Sequence, residues 1–338
     1  MSGTPPPKWQ APPFIPARGI ASAHAQTILG SLLRPARPVP VHRERWGTPD
    51  GDFVDVDHVR ADKDAPHLLV LHGLEGSSRA GYVLEILRGV SRRGWGALAL
   101  NFRSCSGEPT RHARSYNSGD PTDALYALAR MREAGIQGPL FGVGFSLGGS
   151  VLLNLLAKTG AQCPLDGAAA VSVPFDLDLC ADLLDKGPGA TRLYKHLFLR
   201  SLRAKTLRRC GEDPEGARLI DARAVRRARG IRDFDAAVTA PLFGYESAED
   251  YYRQCSSGPQ LHAIRRPTFI LTAEDDPIAP ARALPKDAAQ NPWLSLAVTR
   301  EGGHVGFLEG SAVRPRFWGE AQVLAYFDGL LGRAPAPA

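Results

Sequence analysis

Along the chain, short apolar runs alternate with stretches whose apolar residues recur at helical spacing, the pattern of a buried parallel sheet wrapped by helices. Val39–Trp46 and Phe53–Val59 alternate with period two, and Thr48-Pro49-Asp50-Gly51 between them predicts a tight hairpin turn. Six further runs read as strands: His67–Leu71, Gly96–Phe102, Leu140–Phe145, Gly167–Val173, Thr268–Ala273 and Leu294–Thr299. Ser22 opens a helix that runs to Gly30, and Asp120-Pro121 opens another that carries Leu125, Leu128 and Met131 before Gly135 stops it. Val151–Ala157 and Trp318–Leu331 also have helical spacing. From Leu177 to Ile264 there is no strong strand signal and the spacing turns helical, so this segment is expected as an insertion between the sixth and seventh strands.

A chain of 338 residues with 43% hydrophobic content can bury one large α/β core, and a single domain over residues 1–338 is expected. Residues 1–16 are proline-rich and should form a tail that is either extended over the surface or disordered. No apolar run approaches the roughly 18 residues of a membrane span, and no apolar signal core follows Met1. The five cysteines (Cys105, Cys163, Cys180, Cys210, Cys255) are odd in number and lack C-x-x-C spacing, against both a disulfide framework and a zinc site. The expected compartment is a reducing cytoplasm.

The net charge of +6 is unevenly spread. Fourteen Lys and Arg stand against four Asp and Glu between Lys186 and Arg232, a local +10 that leaves the remainder at −4. No nucleic-acid motif accompanies these cations, so nucleic acid is not an expected partner.

The candidate chemistry lies in Leu140–Ser150. There an apolar run ends in Gly144-Phe145-Ser146-Leu147-Gly148, a G-x-S-x-G string, and helical spacing follows at once. A strand that delivers serine to a sharp turn, with a helix behind it, exposes the hydroxyl and aims helix amides at developing negative charge. Two later strands end in further candidates. Glu274-Asp275-Asp276-Pro277-Ile278 follows one, and Gly302-Gly303-His304 follows the last. The order serine, acid, histidine is that of the α/β-hydrolase triad. Serine oxygen is a poor nucleophile until imidazole takes its proton, and the imidazole needs a carboxylate on its other nitrogen. Asp276 fits the spacing acid, any residue, aliphatic, any residue, proline through Ile278 and Pro280, which leaves Asp275 to bind loop amides. The oxyanion hole of this arrangement falls on the N–H groups of Leu147 and, from the loop after His67–Leu71, Leu74. His72 reads as loop-shaping, His24 as a structural histidine and Cys105 as a small loop residue.

These residues, with several others, resemble the AB hydrolase 4 family, the YheT-like α/β-hydrolase fold esterases, over nearly the whole chain. The resemblance is carried by Phe14-Ile15-Pro16 with His24-Ala25-Gln26-Thr27-Ile28, by Pro49-Asp50-Gly51-Asp52-Phe53, and by His72-Gly73-Leu74-Glu75-Gly76. Asn101-Phe102-Arg103, Cys105-Ser106-Gly107-Glu108, Ser172–Leu177, Thr239-Ala240-Pro241 and Tyr251-Tyr252 extend it, together with Asp275-Asp276-Pro277 and Gly302–Phe307. Ser104, Ser150 and Phe145 depart from the residues usual in the family, and none is a triad position. The resemblance implies a mostly parallel eight-stranded sheet flanked by helices, with 177–264 as a helical cap. It implies hydrolysis of short- to medium-chain carboxylic esters with no metal or cofactor, and some relatives pass the acyl group to an alcohol instead. Alternative readings are an alcohol acyltransferase, a lipase-like phospholipid hydrolase and a non-catalytic binding protein on the same scaffold.

Within the cap segment, Leu193, Leu197, Phe198 and Leu202 recur at roughly helical spacing among Arg192, Lys195, Arg203 and Lys205. That predicts an amphipathic helix with an apolar stripe inward and a basic face outward, and allows weak association with an anionic lipid surface.

Overall fold

The computed structural model of the protein describes residues 4–34, 39–213, 215–311 and 313–334. Eight strands form one sheet: β1 (His42–Gly47), β2 (Phe53–Val59), β3 (His67–Leu71), β4 (Gly96–Leu100), β5 (Leu140–Phe145), β6 (Gly167–Val171), β7 (Thr268–Ala273) and β8 (Leu294–Thr299). Their order across the sheet is β1-β2-β4-β3-β5-β6-β7-β8. Only β2 runs against its neighbours; the pairs from β4 through β8 are parallel. The hairpin turn forms where the sequence predicts it, with the Thr48 N–H donating to Asp52 O at 3.0 Å and Gly51 at φ 83°.

The strand alternation divides the core between two faces. On β3, Leu69 and Leu71 face helices α3 (Thr122–Glu133) and α4 (Leu147–Thr159), while Leu68 and Val70 face α2 (Gly81–Arg92) and α11 (Trp318–Leu330). All four side chains are 0–1% exposed, and burial of each stabilises the fold by roughly 1.5–3 kcal/mol. On β5 the large residues Phe141, Val143 and Phe145 all face the α2 and α11 side. The opposite side carries Gly142 and Gly144, so α4 packs close: a Cβ on Gly144 would fall 2.6 Å from the Gly148 carbonyl carbon.

Some strands end earlier than the apolar runs suggest. The run Gly167–Val173 stops as a strand at Val171 because Ser172 takes φ 53°. Helix α1 (Ala23–Leu32) starts after the Ser22 cap and runs two residues past Gly30. Helix α2 and the hairpin of β9 (Leu308–Ser311) with β10 (Arg314–Phe317) lie outside the sequence expectations.

Between β6 and β7 the chain forms α5 (Leu177–Lys186), α6 (Thr191–Glu212), α7 (Ala222–Arg227), α8 (Ile231–Phe234), α9 (Ala240–Phe243) and α10 (Ala248–Cys255). A π-helical stretch, Asp235–Thr239, joins α8 to α9. These helices bury two apolar clusters of their own, one around Leu184, Tyr194 and Tyr251, the other around Leu199, Val225 and Phe234. Residues 4–16 have no regular secondary structure and lie on the α11 side, where Phe14 meets Phe307 and Trp318 at ring separations of 5.8 and 5.3 Å. No helix among the described residues is long and apolar enough to cross a membrane.

Candidate active site

Parallel strands all end at one edge of the sheet, so the loops after β3, β5, β7 and β8 converge there. Ser146 follows β5 directly. It stands at φ 51° and ψ −120°, a strained conformation for a residue with a Cβ, and its N–H donates to Val171 O at 2.8 Å. Leu147 is the first residue of α4, and the amides at a helix start have no acceptor within the helix.

The histidine arrives from the loop after β8. His304 Nε2 lies 2.9 Å from Ser146 Oγ, and His304 Nδ1 lies 2.8 Å from Asp276 Oδ2. A carboxylate only accepts, so Nδ1 carries the proton and Nε2 is left to accept from the serine hydroxyl. Asp276 has a fully buried side chain. Its Oδ1 accepts from the amides of Ile278 and Ala279, both at 2.8 Å, which fixes the carboxylate plane and satisfies its charge. Asp275 turns elsewhere: its Oδ1 accepts from the Gly303 N–H at 2.9 Å, and burial raises its pKa.

The histidine loop is tightly held. Val305 and Phe307 take φ 55° and 42°, a backbone path that needs outside support. That support comes from Thr27 and Ser172, which the sequence offers only within local motif matches, and from Arg34, which no motif marks. Thr27 Oγ1 accepts from the His304 N–H, Ser172 Oγ accepts from the Val305 N–H at 3.0 Å, and Arg34 donates to the Val305 carbonyl at 2.7 Å. Arg34 is itself held by Glu320 at 2.7 Å, and burial raises the Glu320 pKa against the pull of that guanidinium.

The loop after β3 closes the other side of the serine. Gly73 approaches so near that a Cβ there would fall 3.2 Å from the Ser146 Cβ, and its N–H donates to Tyr82 OH at 2.9 Å. Leu74 follows, then Glu75 at φ 57°, whose carboxylate accepts from Tyr116 OH at 2.9 Å and pairs with Lys205 at 3.0 Å. His72 points away from the serine. Its Nδ1 donates to Gly73 O at 2.8 Å and its Nε2 accepts from the Phe102 N–H at 3.1 Å. Burial pushes its pKa down to about 4, so it is neutral. His24 contacts Tyr194 OH at 3.1 Å and stays outside the relay. Cys105 is buried, and its thiol is pushed up to about 11, which makes it a poor nucleophile. Among the described residues no group of three or more His, Cys, Asp or Glu could hold a metal ion.

Beside Ser146 lies a cavity between the sheet edge and the α5–α10 segment, with Leu74, Pro174, Leu177, Phe198, Leu202 and Ile278 in its walls. Here the expected stripe on α6 divides. Phe198 and Leu202 face the cavity, whereas Leu193 and Leu197 are 49% and 53% exposed. Lys205, expected on the outer face, turns inward to Glu75. A helix of 22 residues that crosses a cavity buries different faces along its length, so a stripe drawn from spacing alone does not follow it.

Comparison with known proteins adds relatives to this geometry. The family model described as alpha/beta hydrolase fold matches residues 66–311. The Escherichia coli (strain K12) protein named "Putative esterase YheT" is 39% identical over 92% of this chain and 91% of its own length. "Phospholipase ABHD3" of Homo sapiens is 31% identical over 88% of this chain and 74% of its own. "Monoacylglycerol lipase" of Saccharomyces cerevisiae (strain ATCC 204508 / S288c) is 33% identical over 77% of this chain and 59% of its own. Among solved structures, a puromycin-hydrolyzing peptidase of Mycobacterium tuberculosis superimposes with a TM-score of 0.54 over 88% of this chain and 40% of that one. At 17% identity that is a likeness of fold.

Proposed function

Since the chain belongs to the YheT-like α/β-hydrolase family, we propose that it is a serine carboxylesterase for short- to medium-chain acyl esters. The observation that carries this reading is the unbroken relay Asp276–His304–Ser146, with contacts of 2.8 and 2.9 Å. In the reaction, His304 Nε2 takes the hydroxyl proton as Ser146 Oγ attacks the ester carbonyl. Asp276 holds the imidazole in the productive tautomer and stabilises the imidazolium. The Leu74 and Leu147 N–H groups take the oxyanion of the tetrahedral intermediate, a role supported by the strand-to-helix turn at Ser146 and by the close approach of Gly73. Collapse breaks the bond to the alkoxy oxygen, His304 returns the proton to the departing alcohol, and water then repeats the sequence on the acyl-serine. No step calls for a cofactor.

The segment Leu177–Ile264 acts as the cap over this site, because its side chains Leu177, Phe198 and Leu202 wall the cavity beside Ser146. Those apolar walls suit an acyl chain, and exclusion of water by them strengthens the oxyanion contacts. The compartment we assign is the cytoplasm, in keeping with five free thiols, four of them buried.

A panel of p-nitrophenyl esters from acetate to palmitate, run beside Ser146→Ala, tests the reading. Turnover should peak at short to medium chains and fall on the order of 10⁶-fold in the variant, as for another enzyme with this triad. A folded Ser146→Ala protein that keeps most of the activity, or a wild-type protein that a fluorophosphonate probe fails to label, would overturn it.

A further inference from the structure

The cavity beside Ser146 changes character along its length. Helix α6 supplies one wall through Phe198, Leu202, Thr206 and Arg209, spaced by four, four and three residues so that one helix face follows the cavity. At about 1.5 Å of rise per residue, Arg209 stands roughly 10 Å along the axis from Leu202. Two apolar side chains thus give way to a hydroxyl and a guanidinium.

Arg209 is 4% exposed. Among the described residues its Nε and Nη2, shielded from solvent, have no hydrogen-bond partner, and its one polar side-chain contact is a long one, Nη1 to Ser104 Oγ at 3.5 Å. Acids in the neighbourhood are already engaged. Asp52 accepts from the Phe53 and Arg111 amides and faces Arg103; Asp213 accepts from the Ala113 and Gly216 amides. Lys205, one turn earlier on α6, is neutralised by Glu75 at 3.0 Å. Arg209 is therefore a buried cation with idle donors in the wall of the substrate cavity. Such a group opposes folding unless an acceptor meets it, and a guanidinium remains charged at neutral pH.

We propose that Arg209, with Thr206 beside it on α6, forms a subsite for an anionic oxygen group, a carboxylate or a phosphate, carried by the ester that Ser146 attacks. The proposal rests on the esterase reading above and narrows it. Nε and Nη2 lie on one edge of the planar fork and can take two oxygens of one anion, a geometry that lysine does not offer. The ester that fits is amphiphilic, apolar along Phe198 and Leu202 and negatively charged beyond them.

Two matched pairs of esters, given to the full-length protein, test this. One pair carries the charge on the acyl side: 4-nitrophenyl hexanoate against mono(4-nitrophenyl) adipate. The other carries it on the alcohol side: 1-hexanoylglycerol against its 3-phosphate. In at least one pair the wild-type kcat/KM should favour the charged member. Arg209→Met should reduce that charged-to-neutral ratio by about 10- to 100-fold, as expected for charge-assisted hydrogen bonds, and Arg209→Lys should restore part of it. The ratio cancels any general loss of turnover, and the pair that responds identifies carboxylate or phosphate as the source. A ratio unchanged by Arg209→Met in both pairs overturns the subsite.

A second measurement needs no turnover. Hexyl phosphate or adipate should raise the thermal midpoint of the wild type and not that of Arg209→Met. The ligand-free midpoint of Arg209→Met should equal or exceed the wild type, since the variant removes an unpaired buried charge. A clear fall would assign Arg209 to structure and refute the subsite. If the wild type hydrolyses none of the four esters yet gains Arg209-dependent stability from either anion, the esterase reading fails and the subsite stands. Absence of any such stabilisation refutes the subsite.

Discussion

The backbone N–H of His304 donates to the Thr27 side-chain oxygen at 2.9 Å, across 277 residues of sequence. The neighbouring Gln26 brackets the far end of the same loop, accepting from the Leu308 N–H at 2.7 Å and donating to the Leu308 carbonyl at 3.1 Å. Helix α1 is thus the brace that keeps the imidazole aimed at Ser146. Thr27→Val keeps the shape and removes the acceptor. It should cost about 1 kcal/mol of stability and lower kcat by up to about 10²-fold through misplacement of the imidazole. Thermal unfolding and ester kinetics on the same preparation check both, and an unchanged kcat would mean that the loop holds itself.

Adjacent carboxylates make different contacts at the histidine. Asp276 faces Nδ1 of His304, whereas Asp275 binds the Gly303 amide. Asp276→Asn should lower turnover by about 10⁴-fold, by comparison with another triad. Asp275→Asn should act mainly on stability. A larger loss of turnover in Asp275→Asn would reverse the assignment.

The serine turn depends on close approach at Gly148. A Cβ there would fall 2.5 Å from the Leu71 carbonyl oxygen and closer still to that of His72. Both contacts are with backbone at the end of a fully buried strand, which cannot yield cheaply. Gly148→Ala should destabilise by about 1–3 kcal/mol or more and displace the Leu74 loop from Ser146. A variant with wild-type melting temperature and kinetics would show that α4 can shift to make room.

Asp235 supplies a pH signature. Burial pushes its pKa up to about 6, against the hydrogen bonds donated by Thr239 at 2.6 Å and Tyr252 at 2.7 Å. Asp185 adds to the rise and Arg232 opposes it. The folded state therefore holds a proton that the unfolded chain releases near pH 4. This group makes stability fall as pH rises from about 4 to about 6, with no further change above. Asp235→Asn removes that dependence, so the variant's melting temperature should gain on the wild type across this window and level off beyond it. Parallel melting curves at pH 4 and pH 7 would refute the assignment.

The outer face of α6 offers a separate test. Leu193 and Leu197 are exposed there, as are the cations Arg192 and Arg200, whereas Lys195 turns to the Asp185 carbonyl at 3.0 Å. Each cation near an anionic bilayer could contribute about 1 kcal/mol, weakened by salt. Sedimentation with anionic vesicles should exceed that with neutral vesicles at low salt and fall at high salt. Equal, negligible binding to both would leave these residues a solubilising role.

Local patterning made much of this molecule readable. A strand such as His67–Leu71 carries a continuous apolar run, Leu68–Leu71, because it is buried on both faces, so the composition of four residues discloses it. The turn at Ser146 is just as local: strand, glycine spacing and helix onset occupy eleven consecutive residues. Even the pairing of Asp276 with His304 is foreshadowed, because each stands just beyond a strand of one parallel sheet and all such ends meet at one edge.

The tertiary structure decided which distant side chains meet. Thr27 lies in a segment read as a helix and Ser172 in a run read as a strand, and their roles arise only when α1 and the end of β6 are packed against the histidine loop. The β9–β10 hairpin is short and partly polar, with Arg314 and Arg316 in it, so it lacks the apolar alternation that marks a strand. On α6 the spacing of leucines suggested one inward stripe, yet the cavity turns Lys205 and Arg209 inward and leaves Leu193 and Leu197 outside. Periodicity along a chain records that a helix has faces. What each face meets depends on elements folded over it from elsewhere in the sequence, and that is settled only by packing.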